Sequence, residues 1–506
     1  MLLKKIFELI KKHYLFFIFL SLVILLVFLT YKNYGITWDE VYYINIGKHF
    51  VIQILNTLKI PNNLVDYKFD PANLDLHIKT HGVIFDIFVI LITPLFRRFN
   101  METYHLIKAL LSLFSFIFLY LILIKFFSKK LALFGILLLL LFPYFYGNIF
   151  NNSIDVPTLT FFSLYICLFF YFLKKKASFI RLILLSLSLA ILINQRIIFL
   201  YAFLLTCLFL IKKPKIIFFL SLFTFFFLHL THPYLLQHPV IGFFNIVKTS
   251  GSFPFTAANL FGGQYIMSNQ LPWDYIPRLM AITTPLSTLG LFIIGNFYLL
   301  FLIFSKKTTN DLKMKYGYLL SLFYIPIIAV IVIRPSLYDS WRHFLFLTIP
   351  LIIIAVFGAY AISRLKNNLV KVILFGLIII NLSQTALEMK ALHPYQYVYY
   401  NSLVGGLRGA NGKYETDYWG AANREAVEWF NKYINNPNKT YYFSTQGDPL
   451  SSAYYFKKNM FLTDDFNKVN YIISFTRWNS DQKYTGKIIH IVEREGVPLV
   501  YIKEFP

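Results

Sequence analysis

Eleven long apolar stretches, separated by short lysine-rich segments, constrain the possible folds of this chain more than any other feature. A helix of about 17 to 25 apolar residues can cross a hydrocarbon core about 30 Å thick. Because 57% of the 506 residues are hydrophobic and only 14% are charged, we predict a polytopic α-helical membrane protein. The predicted spans lie near residues 14–31, 104–124, 131–147, 157–173, 178–193, 197–211, 216–230, 284–304, 316–333, 344–361 and 372–388.

The formal net charge of +24 comes largely from basic groups that fall in every second loop. This alternation is the pattern of the positive-inside rule, so the charge indicates membrane topology and gives no reason to expect nucleic acid as a partner. It predicts a cytoplasmic amino terminus and a cytoplasmic (inner) membrane location. The groups are Lys4, Lys5, Lys11 and Lys12; Lys125, Lys129 and Lys130; Lys174, Lys175 and Lys176; Lys212, Lys213 and Lys215; Lys306, Lys307, Lys313 and Lys315; and Arg364, Lys366 and Lys371.

Residues 83–96 form an apolar run that is short for a crossing helix and contains Asp86. If this segment crossed the membrane, every later lysine group would lie outside. We therefore predict an interfacial or re-entrant helix within one long outer loop, residues 32–103. The loops near 148–156, 231–283 and 334–343 then face outward with it.

After residue 388 the composition becomes polar, which predicts a membrane module over 1–388 and a small extracytoplasmic α/β domain over 389–506. A helix is expected near 421–434, and strands at the runs TYYFS, YIISF, KIIHIVE and PLVYIKEF. Eleven crossings from a cytoplasmic start place this domain outside. Cys167 and Cys207 both fall in predicted spans, so no disulfide is expected.

Asp39 and Glu40, a few residues beyond the first span, are the first candidates for chemistry. An ionisable group kept near membrane depth is costly, which makes it a functional hypothesis by default. Desolvation there raises the pKa of a carboxyl group toward the range of a useful general base. The alternative is that both acids only solvate the start of a helix, and the residues alone leave both interpretations open.

Further polar groups stand in apolar surroundings in the other outer loops: Asp155, Arg196, His232, His238, Arg278 and the run Tyr338–His343. Arg342 beside a span has the fork geometry that binds a phosphate. A single such arginine is more often an interface anchor, but together these groups outline an outward cavity. The sequence contains no P-loop, GxGxxG turn, HExxH or CxxC, and its histidines lack metal-ligand spacing.

Several motifs resemble the GT-C superfamily of polyprenyl-phosphate-sugar-dependent glycosyltransferases, and within it the protein O-mannosyltransferase and lipid A aminoarabinose transferase group. They are WDEVYY in the first outer loop, the interfacial helix after it, the Asp-Val-Pro that opens a span, and the stretches at 262–285, 337–346 and 393–420. The resemblance covers about residues 30–420. It implies a GT-C fold.

The resemblance also implies roles for individual residues. Asp39 matches the catalytic base of that family, Glu40 its usual neighbour, and Lys79 a lysine that contacts the donor phosphate. One departure is Lys79-Thr80-His81-Gly82, where family members often carry His-Pro-Pro. The donor-binding candidates are Lys79, Asp155, Arg196, Arg278, Tyr338, Arg342 and His343.

The activity implied is transfer of a hexosyl or pentosyl group from a polyprenyl-phosphate sugar to an extracytoplasmic protein, lipid or glycan, with inversion. A polyprenyl phosphate carries its own negative charge as leaving group, so no cofactor is required, and a role for a divalent metal stays open. The alternative is a lipid-linked sugar flippase or other polytopic transporter. A transporter is expected to carry its charges in mid-span and in two related halves.

Overall fold

The computed structural model describes residues 7–8, 10–64, 76–77, 79, 82–93, 100–174, 178–251 and 256–505. Within these ranges eight helices are long and apolar enough to cross a membrane, and two shorter apolar helices accompany them. The predicted polytopic helical fold is therefore confirmed. The eight are Tyr14–Asn33, Met101–Leu123, Asp155–Leu173, Pro214–Thr231, Leu286–Phe304, Asn310–Ile333, Arg342–Ser363 and Asn368–Ala391; the shorter two are Phe179–Gln195 and Ile197–Phe209.

The most enclosed of these helices is Arg342–Ser363, with 89% of its apolar window buried. It packs so closely against Leu286–Phe304 that a Cβ on Gly358 would lie 2.0 Å from the carbonyl oxygen of Leu291. Small residues allow such close backbone approach between membrane helices. The helix Arg342–Ser363 is therefore enclosed by the other spans, whereas Leu286–Phe304, with 28% of its window buried, packs on it from the outside.

The span predicted at 131–147 is shorter in the structure. A helix covers Lys129–Leu140, and a single further turn covers Pro143–Tyr146. The break falls at Phe142, whose backbone is extended, because the ring of Pro143 disfavours a helical conformation in the residue before it. Twelve residues rise about 18 Å, which is less than the thickness of a hydrocarbon core.

The segment 83–96 contains a helix over Ile84–Ile92, and residues 94–96 lie outside the described part of the chain. Its nine residues rise about 14 Å, so this helix is too short to cross, as predicted. Its placement along the interface stays a prediction. The other helices outside the spans are Trp38–Thr57, Pro233–Gln237, Ile241–Gly251, Tyr275–Thr283, Gly406–Ala410, Asn423–Tyr433 and Leu450–Ala453, with 3-10 turns at Tyr31–Asn33, Gln396–Val398, Ser402–Val404 and Arg477–Gln482.

Two of the lysine-rich segments lie side by side. The helix Asp155–Lys174 begins at one predicted site residue and ends at a predicted lysine group. At the lysine-rich ends, the Nζ of Lys129 donates to the carbonyl oxygen of Lys12 at 2.7 Å. In this helix the predicted site residue and the predicted lysine group therefore stand at opposite ends.

The carboxyl-terminal part carries the predicted small α/β domain. Its five strands form one mixed sheet in the order β4-β3-β5-β7-β6, with β3 parallel to β4 and β5 and antiparallel pairing at β5-β7 and β7-β6. The predicted helix and four predicted strands are confirmed to within about two residues at each end, whereas β4 was missed. The strands of the chain are β1 Ala258–Phe261, β2 Gln264–Met267, β3 Tyr441–Thr445, β4 Met460–Leu462, β5 Tyr471–Phe475, β6 Lys487–Arg494 and β7 Val497–Glu504.

This domain packs directly on the first outer loop. The hydroxyl of Tyr455 accepts a hydrogen bond from the backbone N–H of Ile36 at 3.3 Å, and the guanidinium of Arg424 donates to the carbonyl oxygen of Tyr34 at 3.1 Å. Between them, a Cβ on Gly35 would lie 2.1 Å from the carbonyl oxygen of Ala421. The loop that carries Asp39 and the carboxyl-terminal domain therefore lie on the same side of the bundle.

Cys167 and Cys207 are free and lie in the apolar helices Asp155–Lys174 and Leu200–Phe209. Cys167 is buried and Cys207 half-buried, as expected for small apolar fillers.

Candidate active site

Asp39 stands in the first turn of the helix Trp38–Thr57. The backbone N–H of Thr37, just before this helix, donates to the Glu40 carboxylate at 3.4 Å, which is half of a capping box. The N–H of Trp38 donates to the carbonyl oxygen of Trp419 at 3.0 Å, so the carboxyl-terminal segment also holds this helix start. The Asp39 side chain keeps 34% of its surface exposed.

Arg342 lies at the centre of the carboxylates around Asp39. Its Nη2 contacts Asp39 at 2.9 Å and Asp339 at 2.8 Å, and its Nη1 contacts Asp155 at 3.2 Å. Its Nε donates to Asp339 at 3.1 Å. The Arg342 side chain is only 5% exposed, and each of its nitrogens contacts a carboxylate.

Two further arginines complete this arginine–aspartate cluster. Arg196 pairs with Asp155, and Arg477 from the carboxyl-terminal domain contacts Asp339 at 2.5 Å. The cluster thus has three acids and three cations and is formally neutral. Attraction between opposite charges offsets the free energy that their desolvation costs. Its members are Asp39, Asp155, Asp339, Arg196, Arg342 and Arg477.

Aromatic rings enclose the Arg342 guanidinium, with ring centroids of Tyr338 at 5.2 Å and Trp419 at 5.0 Å. Trp419 is held by Asp417, which accepts backbone N–H bonds from Trp419, Gly420 and Ala422 at 2.8 to 3.1 Å. The sequence motif at 417–420 therefore builds a turn that places an aromatic ring against the central arginine.

The backbone beside the cluster is strained at two pairs of residues. Asp339 and Ser340 both have positive φ, 56° and 62°, and so do Trp478 and Asn479, at 55° and 53°. Non-glycine residues adopt such angles at a cost that the surrounding structure must offset, and they concentrate at functional sites. The two pairs flank the Asp339–Arg477 contact, which joins the membrane module to the carboxyl-terminal domain.

The pKa of the Asp39 carboxyl lies above its usual range. Its enclosed position raises the pKa, and the nearby carboxylates of Asp339 and Asp155 raise it further, while Arg342 and Arg477 act in the opposite direction. A carboxylate with a raised pKa and an accessible surface can accept a proton from a reacting group.

Glu40 has the opposite environment, although it is the next residue. It is fully buried, and its oxygens contact Nζ of Lys108 and Nε2 of His105, each at 3.0 Å. Burial by itself raises the pKa of Glu40, but the His105 and Lys108 charges outweigh it and the pKa lies below its usual range. Lys108 also donates to the Ser153 hydroxyl at 3.1 Å. We call these four residues the Glu40 network.

A cavity of about 290 Å³ borders the cluster, and its polar lining residues include Arg196, Tyr338 and His343. Its apolar wall comes from the 3-10 turn after Arg196, the end of the helix Asn310–Ile333 and the residues that follow it. The wall residues are Ile197, Ile198, Val247, Ala329, Val330, Ile333, Pro335, Leu337 and Phe344. A long apolar group with a charged head fits such a lining.

The structure brings together six of the predicted site residues: Asp39, Asp155, Arg196, Tyr338, Arg342 and His343. The other three make different contacts. Glu40 belongs to its own sealed network. Arg278 pairs with Asp274 one helical turn away and keeps 47% of its side chain exposed. Lys79 lies over the ring of Tyr234 at 5.1 Å.

Sequence reasoning missed Arg477, His105 and Lys108. No feature of the sequence points to Arg477, because an arginine in a polar domain is not energetically costly and so does not stand out as a functional candidate. Lys108 and His105 could have been found, since both fall inside the apolar helix Met101–Leu123 and are almost fully buried there.

Among the residues that the structure describes, no group of three or more His, Cys, Asp or Glu side chains is arranged to hold a metal ion. The space between the three aspartates is filled by the Arg342 guanidinium.

The chain was compared with protein-family models and with solved structures, and both comparisons gave matches. The family model described as dolichyl-phosphate-mannose-protein mannosyltransferase matches residues 80–235. The crystal structure of ArnT from Cupriavidus metallidurans in the apo state has a TM-score of 0.52 at 11% identity, with 97% of each chain covered. The same enzyme bound to undecaprenyl phosphate gives 0.51 at 11% identity, covering 97% of this chain and 98% of that one. No curated protein sequence matches the chain.

The chain is therefore a multi-pass membrane protein with the GT-C fold, and the predicted resemblance is confirmed. The family model matches only part of the chain, residues 80–235, and the likeness to ArnT at 11% identity is a likeness of fold.

Proposed function

We propose that this protein transfers a sugar from a polyprenyl-phosphate donor to an extracytoplasmic acceptor, with Asp39 as general base. One observation carries the proposal: Asp39 is an accessible carboxylate with a raised pKa, and the ionic cluster that holds it borders an apolar cavity. A general base must be accessible and partly desolvated, and a lipid-linked substrate needs an apolar wall.

The donor's prenyl chain would lie along the apolar wall formed by Ala329, Val330 and Ile333, with its phosphate beside the polar lining residues. Arg196 is the best phosphate ligand in the cluster. It pairs with Asp155 alone among the three acids, and its side chain retains 14% exposure at the cavity. Tyr338 and His343 line the same cavity. That ArnT was solved with undecaprenyl phosphate supports this class of donor.

We propose roles for Arg342 and Glu40 that differ from those the sequence predicted. Arg342 already binds three carboxylates and is almost fully buried, so a phosphate could reach it only by displacing Asp39, Asp155 or Asp339. We therefore assign Arg342 to positioning Asp39 instead of binding the donor. Glu40 has no exposed surface and serves to anchor the helix that carries Asp39.

The chemistry balances without any further group. An acceptor hydroxyl attacks the anomeric carbon from the face opposite the phosphate, forming the new C–O bond while the anomeric C–O bond to phosphate breaks. The leaving polyprenyl phosphate takes the electron pair and is stabilised by Arg196. Asp39 accepts the hydroxyl proton and releases it to solvent. A single displacement of this kind inverts the anomeric centre, in analogy with inverting glycoside hydrolysis.

A flippase or other transporter is the second candidate. The charges of the arginine–aspartate cluster lie where spans begin or end: Asp155 opens one helix, Arg196 follows another, and Arg342 begins a third. An alternating-access carrier is expected to place its charges near the bilayer midplane. The arrangement therefore favours an enzyme that works at one membrane surface, which the topology predicts to be the outer surface of the cytoplasmic membrane.

The test is transfer of labelled sugar from a polyprenyl-phosphate donor in membranes that contain Asp39→Asn. The amide keeps the shape of the side chain but cannot accept a proton at neutral pH, so the rate should fall by about 10² to 10⁴. Asp311→Asn is the matched control, because Asp311 is exposed at the lysine-rich end beside Lys315. Near-wild-type turnover by Asp39→Asn at saturating substrate would overturn the proposal.

A further inference from the structure

A second cavity, unlike the one beside Arg196, opens between the β1-β2 hairpin and the carboxyl-terminal domain. Its volume is about 220 Å³, below the range of about 300 to 1,000 Å³ that holds a drug-sized ligand. Its lining includes Tyr265 of the hairpin, Glu415, and the segment that begins at Arg477 and ends at Gln482. A cavity of this size fits one small ring or side chain, and its largely polar lining does not suit a lipid chain.

The lining is rich in groups that both donate and accept hydrogen bonds. Asn411, Asn479 and Gln482 supply amides, and Tyr265 and Tyr501 supply aromatic rings. Its charged members are Glu415, Asp481 and Arg477, so the cavity carries a formal charge of −1 (one cation and two anions). A phosphate or another anion is disfavoured there, whereas a neutral ligand with many hydroxyls meets both acceptors and donors.

One buried group in the wall is only partly paired. Arg477 is 5% exposed, with Nη2 on Asp339 and Nη1 on the carbonyl oxygen of Tyr418 at 2.9 Å. Its Nε has no hydrogen-bond partner among the described residues. Nε itself is buried, so a ligand in the cavity meets the other parts of the Arg477 side chain, which lines the wall.

Arg477 also connects this cavity to the catalytic cluster. It contacts Asp339, which shares Arg342 with Asp39. A ligand against Arg477 is therefore three ion pairs away from the proposed base: Arg477–Asp339, Asp339–Arg342 and Arg342–Asp39. The cavity adjoins the site on a different side from the apolar cavity, with which it shares no lining residue.

We propose that this cavity, between the β1-β2 hairpin and the segment 476–482, binds a sugar ring of a carbohydrate acceptor. The inference rests on the proposed glycosyltransferase function and names its acceptor class: a glycan, either free or attached to a lipid. Rings of Tyr265 and Tyr501 pack on the apolar face of the sugar, and the amides and Glu415 bond its hydroxyls. The carboxyl-terminal domain thus selects the acceptor, while the membrane module holds the donor.

The experiment measures saturation-transfer-difference NMR on the full-length protein in nanodiscs. The probes are the methyl glycosides of glucose, galactose, mannose and N-acetylglucosamine at millimolar concentration. We expect saturation transfer to at least one of them. Tyr265→Ala and Gln482→Ala should each weaken that glycoside about 3-fold to 10-fold, the scale of one lost hydrogen bond or ring contact. Tyr265 on the hairpin and Gln482 in the carboxyl-terminal domain are both exposed, so these variants keep the fold.

Tyr433→Ala is the matched control, since Tyr433 is an exposed tyrosine of the same domain outside the cavity. Asp39→Asn should leave glycoside binding unchanged, which separates this inference from the proposed function. No saturation transfer from any of the four glycosides, or the same signal in Tyr265→Ala and Gln482→Ala as in the wild type, would overturn the sugar subsite. Loss of transfer in Asp39→Asn would still support the catalytic proposal in that case.

Discussion

Two adjacent acids of this protein occupy opposite environments. Asp39 faces the arginine–aspartate cluster with a third of its side chain exposed, and its pKa is raised. Glu40 is sealed between His105 and Lys108, and its pKa is lowered. Successive residues of an α-helix point about 100° apart, so one helix start can present one acid for chemistry and bury the next as an anchor. Each of the following predictions tests this division.

The largest effect on stability is expected from Lys108→Met. This substitution removes a cation that contacts Glu40 at 3.0 Å while the carboxylate stays buried. Breaking one side of a buried ion pair costs about 3 to 5 kcal/mol, so the melting temperature of the purified protein should drop sharply. Lys307→Met, at an exposed lysine, is the control and should leave it unchanged. An unchanged melting temperature for Lys108→Met would show that Glu40 needs no anchor.

The sign of the pH dependence follows from the lowered pKa of Glu40. A carboxyl group with a depressed pKa stabilises the folded state above its unfolded pKa of about 4.3. That contribution is lost as the pH falls through the lower, folded-state pKa. The difference in stability between wild type and Glu40→Gln should therefore be full at neutral pH and shrink in acid.

A smaller effect, on rate, is expected from Arg477→Ala. Asp339 loses a charged partner at 2.5 Å but keeps Arg342, so Asp39 stays in place with a less constrained neighbour. We expect kcat to fall about 10-fold, which corresponds to the free-energy contribution of about one charge-assisted hydrogen bond. Donor KM should change little. The control is Arg408→Ala, at an exposed arginine of the carboxyl-terminal part. A change in donor KM alone would place Arg477 in donor binding instead.

The smallest effect is a shift of the pH dependence of the rate, in opposite directions for Asp339→Asn and Arg477→Ala. As the proposed base, Asp39 can accept a proton only when it is deprotonated, so the rate should fall as the pH drops through its raised pKa, above the ordinary value of about 4. Asp339→Asn removes a charge that raises this pKa and should move the inflection to lower pH. Arg477→Ala removes a charge that lowers it and should move the inflection up. Shifts of the same sign in both variants would show that another group titrates.

Much of the membrane module was predictable from the sequence because apolar length and lysine spacing are direct consequences of the bilayer. Asp39, Asp155, Arg196 and Arg342 were predictable for the same reason, since charges beside apolar runs are costly. The pairing among them was not, because it depends on which helix ends meet. Thus Arg342 was predicted to bind a phosphate, whereas the structure surrounds it with carboxylates.

The roles of the carboxyl-terminal residues were the least predictable. The strands could be identified from their β-branched and aromatic residues, and the turn at Glu495–Gly496 from its chemistry. Nothing in a local pattern indicates that Arg477 reaches the membrane module, because the contact with Asp339 depends on how the domain docks. The short strand Met460–Leu462 was missed since three residues carry too little alternation to be recognised.

The contact between the first loop and the last part of the chain has a consequence for biosynthesis. Arg424 bonds the carbonyl oxygen of Tyr34 across 390 positions. At about 5 to 20 residues per second, a ribosome needs roughly 20 to 80 seconds to synthesise that interval. During that time the segment bearing Asp39 has left the ribosome but lacks the carboxyl-terminal residues that hold it in place. Asp39 is therefore synthesised early but reaches its final position only after the carboxyl-terminal domain has been made. A nascent chain released early is an inserted membrane protein without a finished catalytic loop.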